Sequence, residues 1–297
     1  MTTDNVNMTL ERILVPIDFS DYSLNACYFA LHLAARTGSE IRLFHAFFNP
    51  MIDAMTFPDT YTYQSNMAEV FRELESNARN EMKRFIKQLE RYAALRNLKN
   101  VKINDETVAG QPGEEISNVI KTFQPGIIII GTRGHGEQAN EVLGSVATKV
   151  IDSEGIPVLL VTRDARLKEE ELMKVLYITN FDDSDYKALQ SLIEVLSGYM
   201  IRIDCVHFNT GKNDPENIEK MEDIKKNLQK KYNKILLECH VIKSNDILDG
   251  LDRFVESTDI DLIALTHRKR NFFYRILNPS LAKKLLFQTK RPVFVFN

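Results

Sequence analysis

Short apolar runs alternate with amphipathic stretches along the chain. The runs, such as Ile127–Ile130 and Leu262–Leu265, are apolar throughout, whereas the stretches between them carry apolar residues at helical spacing. Such alternation is typical of βαβ units with a parallel sheet. Because these strands are apolar at every position, both faces of the sheet should be covered by helices. The pattern therefore predicts an α/β fold.

The order of strands and helices occurs twice. Arg12–His45 reads as strand, turn, helix and strand, and Lys174–His207 reads the same way at an offset of 162 residues. The strand at 127–130 has its counterpart at 262–265, an offset of 135 residues. The first copy is therefore longer by 27 residues (162 minus 135). This excess falls between Phe47 and about Asn100, and it opens with a loop rich in aromatic residues and methionine that reaches Tyr63.

The chain is long enough for two domains. Its 297 residues allow two units of about 150 residues, each with its own core. A charged run from Arg163 to Glu171 has no apolar periodicity and is interpreted as a solvated linker. We predict domains at residues 1–163 and 172–297.

Composition and charge exclude several classes of protein. Hydrophobic residues make up 44% and charged residues 27% of the chain, which is typical of a globular protein. With a net charge of -3, we expect neither nucleic acid nor an anionic membrane as a partner. No apolar run approaches the roughly 20 residues that cross a bilayer. The polar N-terminus does not resemble a secretory signal, and we expect a cytoplasmic protein.

The three cysteines are interpreted as structural. Cys27, Cys205 and Cys239 lie in apolar segments, and none belongs to a CxxC pair or lies beside a histidine at ligand spacing. Buried thiols in a reducing compartment are favoured over a metal or redox site.

A glycine-rich segment carries the clearest chemical signal. Gly131-Thr132-Arg133-Gly134-His135-Gly136 follows an apolar strand, and Gly144-Ser145 opens the next helical pattern. Bare backbone can approach a phosphate closely or adopt positive φ, and free amides can line an anion. The alternative is a plain turn between strand and helix. Because the loop follows a buried strand, where open α/β sheets bind ligands, the sequence favours an anion site. The spacing is neither that of a Walker A loop nor that of a dinucleotide fingerprint.

These features resemble the universal stress protein family, in two consecutive copies. The resemblance rests on Val15-Pro16-Ile17-Asp18, on the glycine loop with Gly144-Ser145, and on Ile156-Pro157-Val158. It implies two Rossmann-like domains of the adenine nucleotide alpha hydrolase type, each a five-stranded parallel sheet with helices on both faces. In ATP-binding members of the family, the matching loop holds the phosphates and the acid matching Asp18 lies by the ribose and metal.

The resemblance supplies a set of candidate ligand-binding residues. ATP with Mg²⁺ or Mn²⁺ is the implied cofactor, Asp18 is the implied metal ligand, and backbone near Phe44 would meet the adenine. The full set is Pro16, Asp18, Phe44, Gly131, Thr132, Arg133, Gly134, His135, Gly144, Ser145 and Val146. Read from the residues alone, Asp18 could equally be an N-cap or turn residue, and Arg133 and His135 could be ordinary exposed loop residues.

The second copy departs from the glycine pattern. Gly131 is matched by Thr266, Gly134 by Lys269 and Gly144 by Pro279, while Asn180 takes the place of Asp18. Lysine and threonine lack the bare backbone, and proline lacks the N–H that an anion site would use. We therefore expect ATP in the first copy alone.

Three functions remain open at this level. The first is an ATP-binding stress or regulatory protein, the second a slow ATP hydrolase or phosphotransferase. The third is a nucleotide-free adaptor that uses the aromatic insertion as a contact surface. Family members often pair through their last strands, so we expect an internal pseudo-dimer formed by 158–161 and 293–296. A further homodimer through the insertion is an alternative.

Overall fold

The computed structural model describes residues 10–49, 61–134, 143–152, 155–166, 172–181, 183–209, 215–232, 235–243, 247–266 and 290–296. The strands are β1 (Arg12–Pro16), β2 (Glu40–Phe47), β3 (Lys102–Ala109), β4 (Ile127–Gly131), β5 (Val158–Val161), β6 (Leu172–Ile178), β7 (Met200–Asn209), β8 (Leu236–Lys243), β9 (Leu262–Thr266) and β10 (Val293–Phe296). The helices are α1 (Asp21–Thr37), α2 (Tyr61–Leu95), α3 (Pro112–Phe123), α4 (Ser145–Ile151), α5 (Asp183–Val195), α6 (Pro215–Lys231) and α7 (Ile247–Thr258).

The ends of the first helix follow from local chemistry. Ser20 lies in extended backbone before α1, and its side chain accepts a hydrogen bond from the Ser23 amide, which would otherwise lack a partner in the helix. Gly38 follows the helix at φ 76°, the left-handed conformation that ends many helices and that glycine adopts without a steric penalty. These two residues fix where α1 begins and ends, and so fix the connection from β1 to β2.

All ten strands form one sheet, in the order β3-β2-β1-β4-β5-β10-β9-β6-β7-β8. Within β1–β5 and within β6–β10 the described pairings are parallel, and the two sets have the same strand order when each is read from its outer edge. This confirms the predicted α/β fold with its repeated, mostly parallel sheet. The domain boundaries at 1–163 and 172–297 stay a prediction, because the core runs from one half of the sheet into the other.

The two halves of the sheet meet at the strands expected from the sequence. Strand β10 pairs with β5 in antiparallel orientation, with Phe294 opposite Leu159 and Val293 opposite Leu160. All four residues are buried. The pairing covers the apolar edge that each half would otherwise expose, and an uncovered edge of this kind promotes aggregation.

Each buried strand contributes to two cores. In β4, Ile127 and Ile129 pack into one hydrophobic cluster with residues of α1 and α2, whereas Ile128 and Ile130 pack into another with α3 and α4. Successive side chains of a strand point to opposite faces, so a strand covered on both faces must be apolar at every position. This confirms the layered arrangement that the continuous apolar runs predict.

The insertion in the first half forms the long helix α2. It spans 35 residues, compared with 17 for α6 at the same place in the second half. Ala78, Met82, Phe85 and Leu89 are buried on the face that packs against the sheet. Residues 50–60 of the preceding loop lie outside the described residues, so the homodimer surface stays a prediction. Among the described helices, none has the length and apolar character needed to cross a bilayer.

The strand pair at the centre of the sheet should carry a large share of the stability. Phe294 is 1% exposed and joins the core that both halves share. We expect Phe294→Ala to lower the free energy of unfolding by about 3–5 kcal/mol, since it removes a buried aromatic side chain and leaves a cavity. Phe48→Ala is the matched control, because that ring is 62% exposed. Equal midpoints for the two variants in urea denaturation would contradict the prediction.

Candidate functional site

The candidate site lies where the strand order of the first half changes direction. After β1 the chain moves to β2 on one side, and β4 returns on the other side of β1. In open α/β sheets such a switch point leaves a crevice beyond the carboxyl ends of the strands, where ligands bind. Pro16 ends β1 and Gly131 ends β4, so both border this crevice. The amide of Ile17 donates to the carbonyl of Phe44 over 2.8 Å and continues the pairing of β1 with β2.

A cavity of about 340 Å³ occupies this crevice. Ligand pockets in proteins usually measure about 300–1,000 Å³, so the cavity has the size of a small-molecule site. Nine of the eleven residues proposed from the sequence line it: Pro16, Asp18, Phe44, Gly131, Arg133, Gly134, Gly144, Ser145 and Val146.

Two proposed residues do not line the cavity. Thr132 is fully buried behind the wall. Its amide donates to the Val161 carbonyl and its carbonyl accepts from the Gly144 amide, so its backbone closes the two ends of the loop on each other. His135 lies outside the described residues, and its proposed contact with phosphate stays a prediction.

Sequence reasoning missed eight lining residues. They come partly from the residue after β1 and from β2 and β4, and partly from helices α1, α3 and α4: Ile17, Ser23, His45, Ala46, Pro112, Ile116, Ile130 and Ala147. The strand residues could have been found, because they are neighbours of residues already proposed. The contribution of α3 has no local signal, since it depends on how that helix packs across the sheet.

Two of the three glycines that line the cavity lie in close contact with neighbouring atoms. A Cβ on Gly134 would lie 2.6 Å from Oδ2 of Asp18, and a Cβ on Gly131 would lie 2.9 Å from the backbone of Tyr22. Neither glycine has positive φ, and Gly144 has φ -64°. At these three positions the proposed use of positive φ is therefore wrong, and the bare backbone at Gly131 and Gly134 instead lets the loop approach α1 and Asp18.

Asp18 holds the turn that leads into α1. Its Oδ1 accepts hydrogen bonds from the Ser20 hydroxyl at 2.6 Å and the Ser20 amide at 3.2 Å. This is the turn role that the sequence offered as an alternative. The carboxylate also lines the cavity beside Gly134. Asp18 therefore holds the turn and also lines the cavity.

Comparison with known proteins identifies the family of this chain. The model of the universal stress protein family matches residues 9–162. The chain belongs to the universal stress protein family. Two curated relatives are universal stress protein YxiE of Bacillus subtilis, 30% identical over 50% of this chain and 97% of its own, and MJ0531 of Methanocaldococcus jannaschii, 26% identical over 52% of this chain and 82% of its own.

A solved structure extends the likeness to the whole chain. A universal stress protein from Archaeoglobus fulgidus aligns over 97% of both chains with a TM-score of 0.64. Its sequence identity to this chain is 18%, so the comparison supports the fold alone. Both halves of this universal stress protein therefore have the fold of the family.

The two halves share a strained turn and a histidine. Phe19 has φ 62° and Phe181 has φ 63°, a conformation that costs energy for a bulky residue. His45 and His207 donate from Nδ1 to the carbonyls of Ile17 and Thr179 at 2.9 and 3.0 Å. Each ring also lies against its phenylalanine, with centroids 4.4 and 4.3 Å apart. The repetition in both halves indicates that these histidines support the turn.

The second half has a buried polar network at the position that matches Gly131. Thr266 matches Gly131, and its hydroxyl donates to Oδ1 of the buried Asp185 at 2.6 Å. That carboxylate also accepts from the Tyr177 hydroxyl, the Thr179 hydroxyl and the Asn180 amide. In the first half Ser23 occupies the place of Asp185 and lines the cavity. The second half thus places a buried carboxylate, which accepts from four of the protein's own donors, at the position where Ser23 lines the cavity of the first half.

A separate polar cluster lies on β7 and β8. Asp204, Glu238 and His240 offer atoms within 4.8 Å of one another. Arg202 already supplies a cation there, because it donates to both oxygens of Asp204 at 3.1 Å and to Glu238 at 3.1 Å. We interpret the cluster as an ion-pair network that joins two strands at the edge of the sheet.

Acid should weaken the second half through His207. Burial lowers the pKa of His207, although its hydrogen bond to Thr179 acts in the opposite sense. The unfolded chain then binds the proton more readily than the native state. The contribution of His207 to stability is therefore fully present above the unfolded pKa of about 6.5. It is lost as the pH falls toward the folded pKa.

The variant His207→Gln should lose less stability than the parent between about pH 8 and pH 5, because its side chain does not titrate in this range. Urea unfolding at both pH values measures this difference. The difference in unfolding free energy between variant and parent at the higher pH serves as the baseline, because the histidine is neutral there in both the folded and the unfolded state. An equal loss of stability in variant and parent would contradict this account.

Proposed function

We propose that this universal stress protein binds one ATP per chain in the cavity of its first half, assisted by Mg²⁺ or Mn²⁺, and acts as a nucleotide-dependent regulator in a stress response. The observation that carries the proposal is the convergence of nine proposed ligand residues on one cavity. These residues come from four separate places in the sequence, yet they meet at the switch point of the sheet. We further propose residues 1–163 and 172–297 as its two domains and the cytoplasm as its location, which fits its three free cysteines.

The cavity walls combine the surfaces that a nucleotide needs. Phe44, Ile116 and Val146 offer apolar surface for a base, whereas Gly131 and Gly134 offer bare backbone for phosphate. This backbone surface depends on the two glycines, since an added Cβ would meet the backbone of α1 at Gly131 and the Asp18 carboxylate at Gly134. Arg133, also on the wall, carries a positive charge that can pair with phosphate oxygens.

The position of Asp18 supports a metal-assisted mode of binding. A carboxylate beside a phosphate site repels the ligand unless a cation lies between them. Mg²⁺ and Mn²⁺ prefer oxygen ligands from carboxylates and phosphates. Oδ1 of Asp18 is occupied by Ser20, and Oδ2 is the oxygen next to Gly134. Asp18 would hold the ion and so allow the triphosphate to approach.

The described residues that line the cavity fit nucleotide binding and regulation better than catalysis. Among the described lining residues the titratable side chains are Asp18, His45 and Arg133. His45 uses Nδ1 to hold the Ile17 carbonyl, as its counterpart does in the second half. This arrangement assigns the histidine to the turn rather than to proton transfer. Incubation with radiolabelled ATP and Mg²⁺ tests this assignment, because a binding protein retains ATP whereas a hydrolase releases phosphate continuously.

Gly134→Ala should weaken ATP binding by at least about tenfold, because its Cβ must displace the Asp18 carboxylate. Gly126→Ala is the matched control. Gly126 precedes the opposite end of β4, and its Cβ would meet a side-chain methyl of Leu10. Titration calorimetry with Mg²⁺-ATP should give one site for the parent and for the control.

Lys269→Ala extends this test to the second half. We expect it to leave both affinity and stoichiometry unchanged, because Thr266 and Lys269 replace the two glycines of the loop in the second half. A stoichiometry of two, or binding that survives Gly134→Ala and is lost in Lys269→Ala, would show that the site lies in the other half.

Asp18→Asn should remove the metal dependence of binding. The amide oxygen of asparagine can still accept from Ser20, so the turn is kept while the negative charge is lost. We expect the parent to bind ATP more tightly with Mg²⁺ than with a chelator, and the variant to bind equally in both conditions. The same measurement with Mn²⁺ compares the two ions. A variant that keeps the full metal response would rule out Asp18 as the metal ligand.

A further inference from the structure

Two cysteines of the second half lie side by side on neighbouring strands. Cys205 of β7 is the direct parallel partner of Cys239 of β8. Paired strands lie about 4.8 Å apart, and disulfides join Cα atoms about 4.4–6.8 Å apart. Both side chains belong to the same hydrophobic cluster and therefore lie on the same face of the sheet. The sequence alone does not indicate this pair, because it is the register of β7 and β8 that brings together residues distant along the chain.

The two thiols differ in their access to solvent. Cys205 is fully buried in the sheet, whereas Cys239 is half-buried. This corrects the expectation that all three cysteines are buried. Strand β8 is the outer strand of the sheet, so among the described strands only β7 pairs with the strand that carries Cys239. A small oxidant can therefore reach Cys239 first.

The surroundings also favour Cys239 as the reactive thiol. A hydrogen bond from Cys205, reinforced by the charge of Lys225, lowers the pKa of Cys239, although burial and Asp204 act in the opposite sense. The same hydrogen bond, together with burial, raises the pKa of Cys205. Because the thiolate is the nucleophilic form, these effects make Cys239 the attacking sulfur and leave Cys205 protonated beside it.

We propose that Cys205 and Cys239 form a reversible disulfide across β7 and β8 when the protein meets a peroxide. The proposal stands on the register, the shared face and the unequal exposure of the two residues, and it does not depend on nucleotide binding. It assigns a redox modification site to the half of the chain in which the glycine loop has been lost.

The chemistry proceeds in two balanced steps. The Cys239 thiolate attacks hydrogen peroxide, the O–O bond breaks, and a sulfenic acid forms while the released hydroxide takes up a proton to become water. The Cys205 thiol then attacks the sulfenic sulfur, and its proton leaves with the hydroxyl group as a second water. The two sulfurs together lose two electrons, which reduce the peroxide. Two equivalents of a thiol such as glutathione restore the pair.

Peroxide treatment of the folded chain tests the proposal. The number of free thiols should fall from three to one, the intact mass should fall by two hydrogens, and a peptide linking Cys205 to Cys239 should appear. Cys27 serves as an internal control, because it is buried and burial raises the pKa of its thiol. A thiol reductant should restore all three thiols.

Two variants separate the roles of the two sulfurs. Cys239→Ser should keep both remaining thiols under the same treatment. Cys205→Ser should stop at the sulfenic acid of Cys239, which a dione reagent traps. Brief treatment of the parent with the same reagent should trap Cys239 as well, so the order of events can be read even if the buried substitution prevents folding.

Three results would overturn the proposal. The first is a parent that keeps three free thiols under peroxide that fully oxidises glutathione. The second is a parent that becomes a disulfide-linked dimer through Cys239. The third is a parent that carries sulfinic acid on Cys239 while Cys205 stays free. Each result would show that the neighbouring strands do not bring the two sulfurs together for bond formation.

Discussion

The close approach of α1 to the end of β4 is the constraint on which the site depends. Gly131 permits it, because any side chain there would press on the backbone of Tyr22 and Ser23. The first turn of α1 then packs on the strand end, and the Asp18 turn is held over the crevice. In the second half Thr266 needs a partner at the same place and finds it in Asp185. Thr266 and Asp185 thus form a hydrogen-bonded pair where the first half has Gly131 and Ser23.

Much of the fold could be predicted because the strands are buried on both faces. A strand that is covered on both faces, such as β4, is apolar at every position, so it can be recognised in the sequence as a continuous apolar run. The site residues at strand ends follow in turn, since parallel strands that share a switch point bring their carboxyl ends together. Gly131 is predictable for this reason, whereas Pro16 and Phe44 are implied by the resemblance to the family.

The rest of the structure depends on contacts between residues distant in sequence. Ile116 reaches the cavity wall only because of how α3 packs across the sheet, and no local spacing encodes that packing. Asp185 reads as an ordinary acid at the start of a helix, yet four donors from β6, its following turn and β9 converge on it. Cys205 and Cys239 likewise become neighbours through strand register alone. Such features require the assembled sheet.

The antiparallel contact between β5 and β10 has a consequence for assembly. Two separate chains joined through such a strand pair would come apart on dilution, whereas here both strands belong to one polypeptide, and the effective concentration of one for the other is set by the connection between the halves. The pairing is therefore independent of how much protein a cell makes. Each chain therefore carries both members of the strand pair, and a change in either half at this contact acts on the core that the two halves share.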